Sequence, residues 1–225
     1  MVIVTGGSGA LGRAVVARFL AAGDRIVVPW IVKRERDAIE ADEGPALAAG
    51  RIVLVEADVA EEAGARAVVA ALPGAEVVVN GVGGFAGGSA LHETDLEVWD
   101  RMFRMNVRTA VAMCRAALPG MIGRGRGAIV NIASRAAFDR PAGLAAYAAS
   151  KSSLVALTET LQREVQSHGV RVNAIVPTTI DTAANRTAMP DADFALWTPP
   201  VKIAEVIFFL AGDAASSVRG GLVPV

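Results

Sequence analysis

Short runs of Val, Ile and Leu recur along the chain at Met1 to Thr5, Arg25 to Val32, Arg51 to Glu56, Ala75 to Asn80, Gly127 to Ile132, Val170 to Val176 and Gly221 to Val225. Longer Ala-rich stretches lie between them. Within each run the apolar residues are largely consecutive and do not alternate with polar ones. A strand carries that pattern when helices cover both faces of its sheet, as in a parallel sheet. The order of strand, helix and strand predicts an α/β fold, a doubly wound parallel seven-stranded sheet with helices on both faces. No repeat, low-complexity tract or linker interrupts it, so residues 1–225 read as a single domain.

Two long helices stand out between the strands. Thr94-Asp95-Leu96-Glu97 has the spacing of a capping box, in which the Thr94 hydroxyl and the Glu97 carboxylate satisfy opposite amides, and predicts a helix running to about Leu118. A second is predicted from about Ala146 to His168. Both carry small or apolar residues on more than one face, among them Ala110, Ala112, Ala116, Leu154, Val155 and Leu157. Such excess apolar surface predicts contacts between subunits, in a homodimer or homotetramer. The Pro-rich stretch from Met189 to Pro200 predicts a loop over a site.

Composition narrows the partners. The chain's 225 residues, 53% of them hydrophobic, suffice for one substantial core. Twenty-two basic against 23 acidic residues give a net charge of −1 with no basic block, which argues against nucleic acid. Runs such as Ile207-Phe208-Phe209-Leu210 fall far short of the ~20 residues that cross a bilayer, so a soluble, cytoplasmic protein is expected. Cys114 is the only cysteine and lies in a helical pattern, where packing is its expected role. His92 and His168 are far apart, and no ligand cluster has metal spacing, so metal-free chemistry is expected.

Two constellations carry chemistry. The first strand ends in Thr5-Gly6-Gly7-Ser8-Gly9-Ala10-Leu11-Gly12 and leads straight into the helical pattern Arg13 to Leu20. A turn of this kind leaves backbone amides and the positive helix end facing a phosphate, while glycine permits close approach. It suits a dinucleotide pyrophosphate. The second constellation is Tyr147, the only tyrosine, with Lys151 four positions on. In a helix that spacing puts both on one face, and a neighbouring ammonium favours the phenolate. Bringing a phenol from a pKa of about 10 to about 7 takes roughly 4 kcal/mol. By spacing alone the pair also fits an ordinary surface contact. Ser134, just past the fifth strand, fits either a turn or a donor to a substrate oxygen. Asn106, a poor helix former within a predicted helix, fits a kink or a site, and Asp58 before Ala60 fits a helix cap or a ligand contact.

Taken together these segments resemble the short-chain dehydrogenase/reductase family over nearly the whole chain, a family of NAD(P)-binding Rossmann-fold oxidoreductases. Thr5, Gly6 and Gly12 match its glycine motif, with Ser8, Ala10 and Leu11 within the turn and Ala10 in place of the middle glycine. The resemblance implies that Asp58 and Val59 hold the adenine and that Asn80, Gly81 and Val82 pass beneath the cofactor. It implies that Pro177 and Ile180 lie beside the nicotinamide, although Thr178 replaces the usual glycine and so departs from the expected path. It further implies a catalytic set of Asn106, Ser134, Tyr147 and Lys151. In that set Tyr147 is the acid/base, Lys151 lowers its pKa and binds the ribose, Ser134 polarises the substrate, and Asn106 holds a water that relays protons.

At the end of the second strand a carboxylate would bind a ribose hydroxyl, whereas a basic group suits a 2′-phosphate. Trp30 stands there, with Lys33, Arg34 and Arg13 close in sequence, and this favours NADP(H) over NAD(H). The segment from Ile180 to Pro199 is also similar to dihydropteridine reductases. The implied activity is hydride transfer between NAD(P)(H) and a small carbonyl, alcohol or imine substrate, with a pterin among the candidates. The competing expectation is a regulatory protein that binds the dinucleotide without consuming it.

Overall fold

The computed structural model describes all residues from Met1 to Val225. Seven strands form one parallel sheet: β1 (Val2–Thr5), β2 (Ile26–Trp30), β3 (Ile52–Glu56), β4 (Val77–Asn80), β5 (Gly127–Ile132), β6 (Val170–Val176) and β7 (Leu222–Pro224), in the order β3-β2-β1-β4-β5-β6-β7. The helices are α1 (Ala10–Ala21), α2 (Lys33–Ala48), α3 (Glu62–Ala70), α4 (Leu96–Phe103), α5 (Thr109–Arg124), α6 (Ala136–Asp139), α7 (Ala145–Val165), α8 (Ala183–Ala188) and α9 (Pro200–Ala211).

The consecutive apolar runs have a direct cause. Side chains on a strand point alternately to opposite faces, and here each face meets its own core. Val2 and Val4 of β1, with Ile26 and Val28 of β2, pack against Val15, Val16 and Phe19 of α1 and Ile203, Ile207 and Leu210 of α9. The residues between them, Ile3 and Val27, pack with Val68 of α3, Met113 and Met121 of α5 and Leu161 of α7. All four residues of β1 are buried. At about 1.5–3 kcal/mol for each fully buried aliphatic side chain, a polar residue at either parity would cost one of the two cores.

The chain winds from β1 outward to β3, then crosses to β4 and winds the other way. The carboxyl ends of β1 and β4 therefore border the switch point where doubly wound sheets bind ligands. Their register pairs Thr5 with Asn80 at that edge.

The long central helix departs from expectation at both ends and in its middle. It begins at Leu96, after Asp95, and no side chain caps it. Thr94 instead ends a short 3₁₀ turn and donates its hydroxyl to the Ala90 carbonyl at 2.9 Å, so the capping box does not form. A π-helical segment, Arg104–Arg108, separates α4 from α5 and contains Asn106. Beyond Leu118 the helix continues through Pro119, held by buried Ala117 and Met121, until Gly125 ends it at φ 67°. The last long helix ends in a 3₁₀ turn, Gln166–His168, close to the expected boundary.

Candidate active site

The glycine turn is shaped by contacts that only glycine tolerates. Gly6 has a φ of +66°, and a Cβ on it would lie 2.6 Å from the Gly81 carbonyl oxygen. A Cβ on Gly12 would overlap the Gly6 carbonyl oxygen, so this first-turn residue of α1 must be bare for the turn to close. Ala10 is exposed, and its methyl group therefore narrows nothing inside the turn. No side chain caps α1 at Gly9, which leaves the first amides available to an anion. Gly12→Ala is expected to cost about 2–3 kcal/mol of stability through overpacking and to weaken dinucleotide binding roughly tenfold or more. Thermal melting and a nicotinamide fluorescence titration read the two effects, and unchanged affinity would remove the turn from cofactor binding.

Thr5 pins the neighbouring loop. Its Oγ1 accepts from the Gly81 and Val82 amides at 3.0 and 3.3 Å, and donates to the Val79 carbonyl at 3.4 Å. Asn80, buried beside it, donates to Asn131 Oδ1 at 2.8 Å, and Asn131 donates to Thr158 on α7 at 2.9 Å. Between the turn and this loop runs a groove of about 280 Å³, lined by Gly6, Ser8, Trp30, Asp58, Val59 and Val82 among others. Bare glycine, free helix amides and this groove together fit a dinucleotide. Asp58 lines the groove and also forms the turn before α3, accepting from the Ala60 amide at 2.9 Å and from Arg104 at 2.7 Å.

The basic residues fall elsewhere. With α2 beginning at Lys33, Lys33 and Asp37 stand one turn apart and pair at 2.8 Å, and Arg13 pairs with Asp42 at 3.0 Å. Arg34 is exposed, and neither it nor Lys33 lines the groove. Glu35 does line it, and its carboxylate accepts from the Ser8 hydroxyl at 2.8 Å. The sequence did not point to Glu35; the start of α2 at Lys33 turns it toward Ser8.

At the carboxyl end of β5, Ser134 is buried and its Oγ accepts from the Ala136 amide at 3.2 Å. Tyr147 stands in the first turn of α7 with its phenol beside Ser134, close enough for the serine hydroxyl to favour the phenolate. The Phe85 ring meets Tyr147 edge-on at 5.0 Å between centroids. Lys151 is 5% exposed; its ammonium lies 5.9 Å from the tyrosine ring centroid and donates to the Ile132 carbonyl at 2.7 Å. Burial brings Lys151 down from 10.5 to about 8. The expected lowering of the phenol's pKa is absent from the protein alone. Burial raises Tyr147 above its ordinary value of 10, and the neighbouring Ser134 hydroxyl opposes this only in part.

Asn106 reaches the same place from the π-helical segment, a feature often found at functional sites. Its Oδ1 accepts from the Gly84 amide at 2.9 Å, and its Nδ2 donates to the Gly84 carbonyl at 3.1 Å and to Ser150 Oγ at 2.9 Å. The sequence did not point to Ser150 or to Gly83. A Cβ on Gly83 would lie 2.8 Å from Asn106 Oδ1 and 3.4 Å from Lys151 Nζ, so this glycine holds open the space between them.

After β6, the Pro177 carbonyl accepts from the Arg135 amide at 2.8 Å, joining the loops beyond β5 and β6. Thr178 avoids positive φ, as its Cβ requires. Ile180 bridges to Thr198, which folds the Pro-rich stretch back toward the end of β6. Cys114 is buried with its thiol pushed up to about 12, as a packing residue should be. No group of three or more His, Cys, Asp or Glu side chains is arranged to hold a metal ion, and no helix is long and apolar enough to cross a membrane.

The short chain dehydrogenase family profile matches residues 1–193. This chain belongs to that family. It is 35% identical over 234 residues to the 2-(R)-hydroxypropyl-CoM dehydrogenase of Xanthobacter autotrophicus, covering 97% of this chain and 93% of the relative. It is also 35% identical to the galactitol 2-dehydrogenase of Rhizobium johnstonii, covering 99% and 92%. Two solved structures share the whole fold. A short-chain type dehydrogenase/reductase from Mycobacterium ulcerans superposes with a TM-score of 0.91 at 27% identity, covering 100% of this chain and 87% of that one. A blue fluorescent protein from a metagenomic library, in complex with NADPH, gives 0.87 at 30% identity, covering 100% and 95%.

Proposed function

We propose that this protein is an NAD(P)-dependent oxidoreductase interconverting a secondary alcohol and its ketone, with Tyr147 as the acid/base. The observation that carries the proposal is the convergence of Ser134 and Lys151 on the chain's single tyrosine, beside a groove shaped for a dinucleotide. A nicotinamide dinucleotide held in the groove between Gly6 and Val82 would supply the hydride for reduction of the carbonyl carbon, or take it up in the reverse direction. Tyr147 gives its phenolic proton to the carbonyl oxygen, and Ser134 donates a second hydrogen bond that fixes that oxygen. Lys151 binds the ribose and, when protonated, draws the phenol's pKa down. Asn106 holds the loop at Gly84 in place beside it.

The secondary alcohols named for the two relatives make hydroxypropyl thioethers and sugar alcohols the first substrates to try. The segment from Ile180 to Pro199 adds a quinonoid dihydropterin, and imines complete the panel. An NADPH-bound neighbour supports NADP(H), with Lys33 and Arg34 outside the groove. A second reading, NAD(H), is favoured by Glu35, because a carboxylate on Ser8 at this groove suits a ribose hydroxyl and repels a 2′-phosphate. Assembly into a homodimer or homotetramer through α5 and α7 belongs to the same proposal.

Titration with NADPH and NADH separately, then addition of the panel while nicotinamide absorbance is followed, tests the proposal. Oxidation by one substrate is the expected result. Binding without oxidation across the panel would replace the enzyme with the dinucleotide-sensing regulator, for which nothing in a buried Tyr147–Lys151 pair is required.

A further inference from the structure

Ser150 is fully buried, one residue before Lys151 and three after Tyr147. Its hydroxyl accepts from Asn106 Nδ2 at 2.9 Å and donates to the Tyr147 carbonyl at 2.7 Å. A hydroxyl has one hydrogen to give, and here it is committed to the turn that carries both reactive side chains. The asparagine is committed as well, since its oxygen and both amide hydrogens are spent on Gly84 and Ser150. The result is a closed line of hydrogen bonds from the Gly84 backbone through Asn106 and Ser150 to the Tyr147 carbonyl. It joins three separate elements: the loop after β4, the π-helical segment and α7.

A serine bonding back to a carbonyl three residues earlier is common in helices and needs no function. Two features set this one apart. Ser150 simultaneously accepts from another element, so it cannot be satisfied by its own helix alone. Its partner Asn106 faces Lys151 across Gly83, where a Cβ would sit 2.8 Å from the one and 3.4 Å from the other. A small rotation of α7 against the Asn106 clamp would therefore change the placement of Lys151 and Tyr147 together.

We propose that Ser150 is a positioning residue, setting the angle at which the Tyr147–Lys151 turn of α7 meets the Asn106 clamp. The inference rests on the acid/base role proposed for Tyr147, but one of its tests needs no substrate. Tyr147 is the only tyrosine, so the growth of phenolate absorbance with pH reads its pKa directly. Ser150→Ala is expected to move that titration, in protein saturated with oxidised dinucleotide, by roughly half a pH unit or more. It is also expected to lower kcat about tenfold or more, with KM and dinucleotide Kd within about twofold of wild type. The double variant Asn106→Ala/Ser150→Ala should be no slower than Asn106→Ala alone, because both act through one line of bonds.

An unmoved phenol titration overturns the proposal, as do additive losses in the double variant. A lower Tm with titration and kcat unchanged would reduce Ser150 to helix packing. Should Ser150→Ala fail to fold, Ser150→Cys keeps a side chain of similar size with weaker hydrogen bonding; an intermediate titration and kcat support the proposal, and wild-type values in both overturn it. If the wild-type protein binds dinucleotide and turns over nothing, the enzymatic reading fails, and the phenol titration still decides the role of Ser150.

Discussion

Tyr147→Phe is expected to lower turnover by roughly 10³-fold or more and to leave dinucleotide affinity within about twofold. Phenylalanine keeps the ring that packs edge-on against Phe85 and removes only the hydroxyl facing Ser134. Folding and the groove between Gly6 and Val82 are therefore untouched, and the loss isolates proton transfer. Direction of reaction adds a second signature. Burial holds the phenol above its ordinary pKa, so it is a ready proton donor at neutral pH, whereas alcohol oxidation needs the phenolate. Wild-type oxidation should rise with pH while reduction stays level near neutrality, and the residual activity of Tyr147→Phe should lose that rise. Rates of both reactions across the pH range check this; turnover close to wild type would remove Tyr147 from the chemistry.

The sheet was legible in the sequence because the cause of the pattern is local. The inner strands feed two cores, so their apolar residues run largely consecutively, as in Val2-Ile3-Val4. The glycine turn was legible for a similar reason, since Gly6 and Gly12 answer to backbone contacts a few residues apart. What stayed hidden depended on helix phase and on partners distant in the chain. Whether Lys33 or Glu35 faces the groove turns on where α2 begins, and a helix starting at Lys33 spends that lysine on Asp37. Thr94 satisfied a four-residue spacing rule, but its hydroxyl was claimed by Ala90 in the preceding turn. Asn106 was visible as an ill-suited helix residue, whereas Ser150, a common residue in an ordinary helical position, acquires meaning only through an asparagine 44 residues away.

The lysine carries a cost that the sequence could not show. Lys151→Met is expected to abolish most activity, at least about a hundredfold, and weaken dinucleotide binding, yet make the protein alone more stable. The ammonium is buried facing the Ile132 carbonyl, the Asn106 amide across Gly83 and the Tyr147 ring, none of which carries a charge at neutral pH. Its pKa falls from 10.5 to about 8. The unfolded chain thus keeps its proton up to about 10.5, while the folded protein releases it near 8. Below pH 8 the full penalty of burying the charge is present, and it fades as pH rises from 8 toward 10.5. That separation corresponds to about 3 kcal/mol; methionine leaves the Ile132 carbonyl without its donor, at about 1 kcal/mol, so the net gain is about 2 kcal/mol at pH 7. For a chain of this size it would raise Tm by about 4–8 °C. Denaturant melts of both proteins from pH 7 to about 9.5 should show the gap between them narrowing above pH 8, a difference from which the Cys114 thiol, pushed up to about 12 in both, cancels. Equal stability at pH 7 would mean that the buried ammonium is better compensated than its uncharged surroundings allow.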